Sequence, residues 1–460
     1  MGNTKTKPFG FKDKIGYMLG DVANDFSFIF ASSYVMVFYT KVMGISAGMV
    51  GTMFLISRCI DAFTDIGMGR IVDASKPTKN GRIRPWILRM CAFVALASFL
   101  MYQSFLVNAP YGAKVAYMFI TYILWGSIFY TSINIPYGSM ASAISADPKD
   151  RADLSTWRTI GSTLANMVIG VATPMVAYVV VDGKTVMSGS RMTIIAGVFS
   201  ICAILCYIVC FKLTSERVEV PASNQKISAS AIFKSIFTNK ALLGIIVAAI
   251  FVLLSQLTVM SLAGYVYPNV YGSAAAQSTA SLLGTVVMLV VCAPFASKLS
   301  AKFGKKELAM GSSILSALVW LVCLIWRPAS VWGFVACYIL ANIGMGFFNT
   351  IIWAMITDVI DDAEVRNGMR EDGTIYSVYS FARKLGQAFS SGLVGALLGI
   401  IGYTEATAFD PAVTRGIFNM ACIAPIIGFV CIVLALAFLY PLNKKKVEEN
   451  VAELAARRNK

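Results

Sequence analysis

The sequence contains no histidine in 460 residues. That absence removes histidine proton relays, histidine metal ligands and Ser-His-Asp nucleophiles together. Charge is also scarce: Asp, Glu, Lys and Arg make up 14% of the chain, against about 25% in soluble domains. Hydrophobic residues reach 57% and the mean hydropathy is +0.70. A bilayer crossing takes about 20 apolar residues, so this composition reads as an integral membrane protein with almost nothing left for a soluble domain. Nucleic-acid binding is therefore a poor account of the +15 net charge. The ten cysteines, from Cys59 to Cys431, all fall inside apolar runs, which leaves no disulfide framework. Cys202, Cys206 and Cys210 share one helix face and read as packing residues rather than a soft-metal site. No cleavable signal peptide is expected, because 1–14 is polar and the run after it is too long. Gly183-Lys184-Thr185 resembles the end of a phosphate loop, but Tyr178 stands where the first glycine belongs.

What is present is a succession of apolar runs. They predict spans near 14–43, 47–72, 85–107, 113–143, 154–180 and 192–213, then 239–266, 274–297, 307–326, 331–357, 374–401 and 413–441. Most of the 39 Lys and Arg residues fall at the ends that are cytoplasmic if the N-terminus is inside, which places both termini in the cytoplasm. The polar segment 214–238 divides the spans six and six, giving an N-terminal bundle at 1–213, a C-terminal bundle at 239–443 and a tail at 444–460. The halves echo each other. Basic loops follow the second and eighth spans, and Arg158 and Lys384 stand 226 residues apart in the fifth and eleventh. Duplication of a six-helix unit is the organisation of major facilitator transporters. In the tail, Val447, Val451 and Leu454 recur at helical spacing. A frayed, solvated helix is expected there, with docking on the membrane surface or a partner as the other reading.

Ionisable residues inside a bilayer cost about 2.5–3.5 kcal/mol each on insertion scales, so those that remain are functional candidates. The second span holds Arg58, Asp61 and Asp65 on one helical stripe, with Thr64 beside them. Two carboxylates one turn apart suit a shared monovalent cation. They equally suit a proton carrier, or a staple in which Arg58 neutralises one of them. The first span adds Asp25 and Asn24, with Asp21 nearer its end; the fourth adds Thr131 and Asn134, the fifth Arg158. In the eleventh, Ser377, Ser380, Lys384, Gln387 and Ser391 form a continuous polar stripe with Arg383 beside it. Carboxylates, cations and amides together suit sugar hydroxyls, which donate and accept hydrogen bonds. Asn342, Asn349 and Trp353 come from the tenth span, the tryptophan either stacking on a sugar or packing on neighbours. Gly16 with Gly20, and Gly395 with Gly399, have close-packing spacing.

These motifs resemble the glycoside–pentoside–hexuronide:cation symporters of the major facilitator fold, through most of the chain. The likeness is carried by Arg58-Cys59-Ile60-Asp61-Ala62-Phe63-Thr64-Asp65, Gly81-Arg82-Ile83-Arg84-Pro85-Trp86 and Asn134-Ile135-Pro136-Tyr137. Arg158 and the stretch from Thr357-Asp358-Val359-Ile360-Asp361 to Arg383-Lys384-Leu385-Gly386 continue it. The resemblance implies a cation site at Asp61 and Asp65, with Thr64 and Thr131 as oxygen ligands. It implies a sugar site using Asp25, Asn134, Arg158, Ser380 and Lys384, with Asn24, Asn349 and Arg383 at neighbouring positions. Asp358, Asp361, Glu364, Arg370 and Asp372, together with Arg82 and Arg84, would form charge contacts between the halves on the cytoplasmic side.

The departures point to a different cargo. The melibiose-type pattern has Lys at 24, Asp at 134, Trp at 138 and 349, and Asn at 64, where this chain has Asn24, Asn134, Gly138, Asn349 and Thr64. Losing the carboxylate at 134 and gaining Arg383 makes the site more positive, the loss of Lys at 24 taking one charge back, which suits an acidic glycoside such as a hexuronide. The expectation is thus an all-α, twelve-helix, multi-pass protein of the cell membrane. It would move a sugar or glycoside with Na+ or H+, act as a monomer, and need no cofactor, nucleic acid or enzymatic group. Symport of a neutral glycoside or xyloside, a non-accumulating facilitator or sensor, and a membrane-embedded metal enzyme are the competing readings.

Overall fold

The structure, a computed structural model, describes residues 8–145, 147–218, 239–367 and 372–458. They divide into two compact units, Met1–Asn224 with Leu398–Ala408, and Gln225–Leu397 with Phe409–Lys460.

The first unit begins with α1 (Phe11–Lys41), α2 (Ala47–Ala74) and α3 (Arg84–Leu100). Next come α4 (Tyr111–Ile123), a π-wound turn at Leu124–Tyr130 and α5 (Thr131–Ile144), which run on as one rod, Tyr111–Ile144. It closes with α6 (Pro148–Ala177) and α7 (Gly189–Leu213). The second unit holds α8 (Lys240–Tyr265), α9 (Ala274–Val287), α10 (Ala293–Phe303), α11 (Lys305–Trp326) and α12 (Val331–Asn367). Most of α13 (Asp372–Ile400) follows, then α14 (Pro411–Phe438) and α15 (Lys444–Arg458). Helix starts are set by side-chain caps: Ser46, Asp147, Ser188, Asn239 and Ser273 each accept a backbone N–H from the first turn.

Each of the twelve apolar intervals contains helix. Among the described residues, nine helices are long and apolar enough to cross a membrane. The other three intervals are α2, which carries the charged stripe, the 17-residue α3, and α13, whose apolar stretch Leu385–Ile400 is shorter. The third span therefore ends before the expected 107. The fifth ends at Ala177, where the chain turns into a hairpin, Tyr178–Val181 against Lys184–Met187. Asp182 and Gly183 turn it, both at positive φ, as a two-residue hairpin loop demands. The phosphate-loop look-alike is this turn.

The tail differs from the expected frayed helix. Asn450 and Leu454, one turn apart, are buried, while Val451 is exposed. Asn450 donates to Asp362 at 3.1 Å, and Arg457 donates to the carbonyls of Glu364 and Val365. The tail docks on this chain's own α12, whose last carbonyls have no partner within the helix and whose buried Asp362 needs donors.

α1 is buried along most of its length and packs along α6 and α7. A Cβ on Gly16 would meet Leu213 and Thr214 at 2.9 Å, and one on Gly20 would overlap the Tyr137 ring. These glycines let α1 approach its neighbours, as their spacing predicts. Gly399 has open space around it instead. Gly20→Ala is expected to lower the thermal midpoint of the purified protein, at an overpacking cost of about 1–3 kcal/mol. Gly399→Ala should leave the midpoint at the wild-type value, and the pair of melting curves checks both.

Candidate functional site

The charged stripe of α2 finds its partners on the adjoining rod. Arg58 donates to Asp61 at 2.8 Å, and the Ser127 hydroxyl donates to the other oxygen of Asp61 at 2.5 Å. One turn further along both helices, Thr131 donates to Asp65 at 3.0 Å. Carboxylates at i and i+4 thus face hydroxyls at i and i+4, the match made by two helices running side by side in one direction. Ser127 lies within the π-wound turn and Thr131 just after it, and Thr131 also reaches back to the carbonyl of Gly126. Such turns shift the helix register locally and are frequent at functional sites.

Thr64 lies on the same stretch of α2. Its hydroxyl donates to the carbonyls of Ile60 and Asp61 on its own helix, so the hydroxyls brought to the carboxylates are those of Ser127 and Thr131. Ser127 belongs to no motif, although its four-residue distance from Thr131 repeats that of Asp61 from Asp65. Among the described residues, no group of three or more Cys, Asp or Glu forms a metal cage. A cation carried here as cargo would meet two carboxylates and two hydroxyls.

A second matched pair joins α1 to α6. Arg158 pairs through Nε with Asp21 at 2.8 Å, and Ser162 donates to Asp25 at 2.5 Å. Asp21, one turn nearer the start of α1 than Asp25, is thus the partner of Arg158. The guanidinium also lies over the Tyr137 ring, which stacks on Tyr17, while the Tyr137 hydroxyl donates to the Tyr17 carbonyl at 2.7 Å. Asn24, one residue before Asp25, accepts from Tyr207 at 2.8 Å. Its amide nitrogen is buried with no hydrogen-bond partner among the described residues. Asn134 is half-buried and one turn beyond Tyr130, just before Pro136.

In the second unit, Asn349 donates to Gln256 at 3.4 Å, an acceptor absent from the sequence reading. Trp353, Tyr379 and Arg383 form a cluster: the two rings meet edge-on at 5.3 Å, and the guanidinium lies 5.4 Å from one ring centre and 5.9 Å from the other. Trp353, open in sequence to stacking on a sugar or packing on neighbours, here packs on Tyr379 and Arg383. Lys384 and Ser380 are on α13, but their side chains lie outside the described residues, as does that of Asp372; Arg370 lies outside them altogether.

Of the remaining charged candidates, Asp358 pairs with Lys305 at 2.5 Å in its own unit. Asp361 is half-buried on α12, and the backbone carbonyl of Glu364 takes Arg457. The Glu216 carboxylate accepts the backbone N–H groups of Arg82, Ile83 and Arg84 at 2.9, 2.9 and 2.6 Å, capping α3 from the far end of α7. The Arg84 guanidinium stacks on Phe211 and donates to its carbonyl. Lys305 belongs to the basic loop after the eighth span, whereas Glu216 carried no motif in the sequence, a carboxylate just past a helix end being its only signal.

The chain matches, over residues 16–444, the family described as MFS/sugar transport protein. It belongs to that family. It is 30% identical to the glucuronide carrier protein homolog of Escherichia coli K12, an alignment covering 96% of this chain and 95% of the relative. It is 31% identical to an uncharacterized symporter of Bacillus subtilis 168, YjmB, over 97% of this chain and 96% of that one. The fold is also that of a D-xylose-proton symporter, with TM-score 0.65 and 14% identity, covering 95% of this chain and 98% of that chain. The resemblance read from the motifs is thereby borne out: this is a multi-pass membrane transporter related to sugar symporters, and not an enzyme.

Tyr207 is fully buried and is the one hydrogen-bond partner of the Asn24 side chain among the described residues. Tyr207→Phe strands that amide, and the expected loss is about 1–3 kcal/mol, measured as a lower unfolding midpoint of the purified protein.

Proposed function

We propose that this transporter is a secondary active symporter of the cell membrane, carrying a glycoside together with Na+ or H+ through a monomer of twelve spans. Its two six-helix halves, on either side of 214–238 and with both termini cytoplasmic, would alternate access to a site near the midplane. The observation that carries the reading is the doubled register of Asp61 with Ser127 and Asp65 with Thr131. Arg58 balances Asp61, and a staple alone would call for no second carboxylate one turn away.

Cation binding at the Asp61 and Asp65 pair neutralises charge that is otherwise costly to enclose. Coupling then arises because cation and glycoside together favour the closed, reorienting form more than either does alone. The residues assigned to sugar binding are Asp25, Asn24, Asn134, Arg158, Asn349, Ser380, Arg383 and Lys384. Asp358, Asp361, Glu364, Arg370 and Asp372, with Arg82 and Arg84, serve the cytoplasmic closure. An acidic glycoside, with a hexuronide as its first candidate, is supported by the name of the Escherichia coli relative. It is supported also by Arg383, which makes no ion pair among the described residues and is steadied only by Trp353 and Tyr379.

Uptake of radiolabelled glucuronide, xyloside and neutral glucoside into proteoliposomes, with Na+ and H+ gradients imposed separately, tests the proposal. One gradient should drive accumulation of the glucuronide above equilibrium. Mere equilibration under both gradients would overturn the symport reading. Asp65→Asn is expected to abolish accumulation while leaving downhill exchange. Ser127→Ala should raise the cation concentration for half-maximal uptake about tenfold, the loss of one hydrogen bond to a carboxylate. Arg383→Ala should cost glucuronide uptake about tenfold more than glucoside uptake, measured as competing initial rates.

A further inference from the structure

Arg158 is held in an asymmetric way. Its Nε faces Asp21, whose side chain is only 7% exposed, whereas the arginine side chain is 43% exposed. The inner edge of the guanidinium is thus fixed by a buried carboxylate, and one face rests on Tyr137 at 5.4 Å from the ring centre. Tyr137 is itself immobilised, stacked on Tyr17 and hydrogen-bonded to its carbonyl. A guanidinium has five donors in a rigid plane, so fixing Nε and one face fixes the direction of the two terminal nitrogens. Those nitrogens are donors that the Asp21 contact does not use, and the Tyr17 hydroxyl also stands beside the guanidinium. Asp21 and Arg158 also sit one turn from Asp25 and Ser162, so the fork is set at a constant offset from the Asp25 carboxylate.

We propose that Asp21 is a positioning residue for substrate recognition: it pins Arg158 by Nε so that the terminal nitrogens form a preset fork for two neighbouring oxygens of the sugar. The proposal rests on Arg158 facing the glycoside. Asp21 itself touches no substrate. Its charge also cancels that of Arg158, so Arg158 reads hydroxyl oxygens, and the discrimination of an acidic from a neutral sugar falls to Arg383, which has no such counter-ion among the described residues. A preset fork spends little rotamer entropy on binding, which appears in affinity rather than in the turnover of the carrier.

The test is the kinetics of glucuronide and glucoside uptake by the full chain in proteoliposomes, for Asp21→Asn and Arg158→Ala beside the wild type. Asp21→Asn should raise KM for both sugars about tenfold, with Vmax and the unfolding midpoint near wild type. An unchanged KM, or a fall in Vmax and midpoint with KM unchanged, would mean that the pair only staples α1 to α6, and the proposal is lost. Arg158→Ala separates the two layers. If it leaves KM unchanged, Arg158 does not face the sugar and both readings fail; if it raises KM while Asp21→Asn does not, the positioning role alone fails. Should Asp21→Asn not fold, Asp21→Glu replaces it, keeping the charge and moving it by one methylene. A raised KM at the wild-type midpoint supports the fork, and an unchanged KM overturns it.

Discussion

A carboxylate enclosed among helices must be met by donors or by a cation, because the low dielectric leaves nothing else to solvate it. The first unit is arranged around that requirement. α1 and α2 each offer two aspartates one turn apart, and each meets a neighbouring helix that offers donors one turn apart. Satisfying both members of a pair sets the rotation of one helix against the other and their offset along the axis. The glycines of α1 that admit Leu213, Thr214 and the Tyr137 ring, and the π-wound turn that carries Ser127, serve the same geometry. Slipping either helix by a single residue would turn every partner away at once. In the proposed symport, one bound cation would rebalance such a site without rebuilding the bundle.

The second unit handles charge differently. Among the described residues, Arg383 is steadied by the faces of Trp353 and Tyr379 and by no acid, which restricts its motion without neutralising its charge. Elsewhere in that unit Lys305 pairs with Asp358, Lys306 donates to the Tyr440 carbonyl, and Arg457 of the docked tail takes carbonyls in the last turn of α12. In the first unit Glu216 does the same at the start of α3, and Arg217 binds Asp13 through two nitrogens. The residues just past α7 are therefore anchored to α1 and α3, and the polar connection expected from 214 onwards begins as part of the first unit.

Much of this was legible along the chain. Apolar run length alone placed helix in all twelve intervals, because a membrane span is a local, length-limited signal. The charged stripe of α2 was legible for the same reason: three ionisable residues at helical spacing within an apolar run have few structural explanations. The motifs from Arg58 to Asp65 and from Gly81 to Trp86 pointed to the right family before any contact was known. Span ends were less visible. The hairpin at 178–187 is apolar enough to read as a continuation of α6, and only strand pairing and the positive φ of Asp182 and Gly183 mark the change.

What the sequence determined by itself was the fold class, the family and the set of polar residues inside the apolar helices, since each depends on composition and local spacing. Pairing was decided only by the tertiary structure. Thr64 and Thr131 look alike as hydroxyls near carboxylates, yet one turns back to its own backbone and the other reaches Asp65 from a neighbouring helix. Asp21 and Arg158 lie 137 residues apart, and nothing along the chain joins them. The docked face of the tail, built on Asn450 and Leu454 rather than on Val451, answers to a buried aspartate of another helix. A side chain's partner depends on which helices lie beside it and in what register, and that is set by the sum of packing contacts across the unit rather than by any residue's near neighbours in sequence.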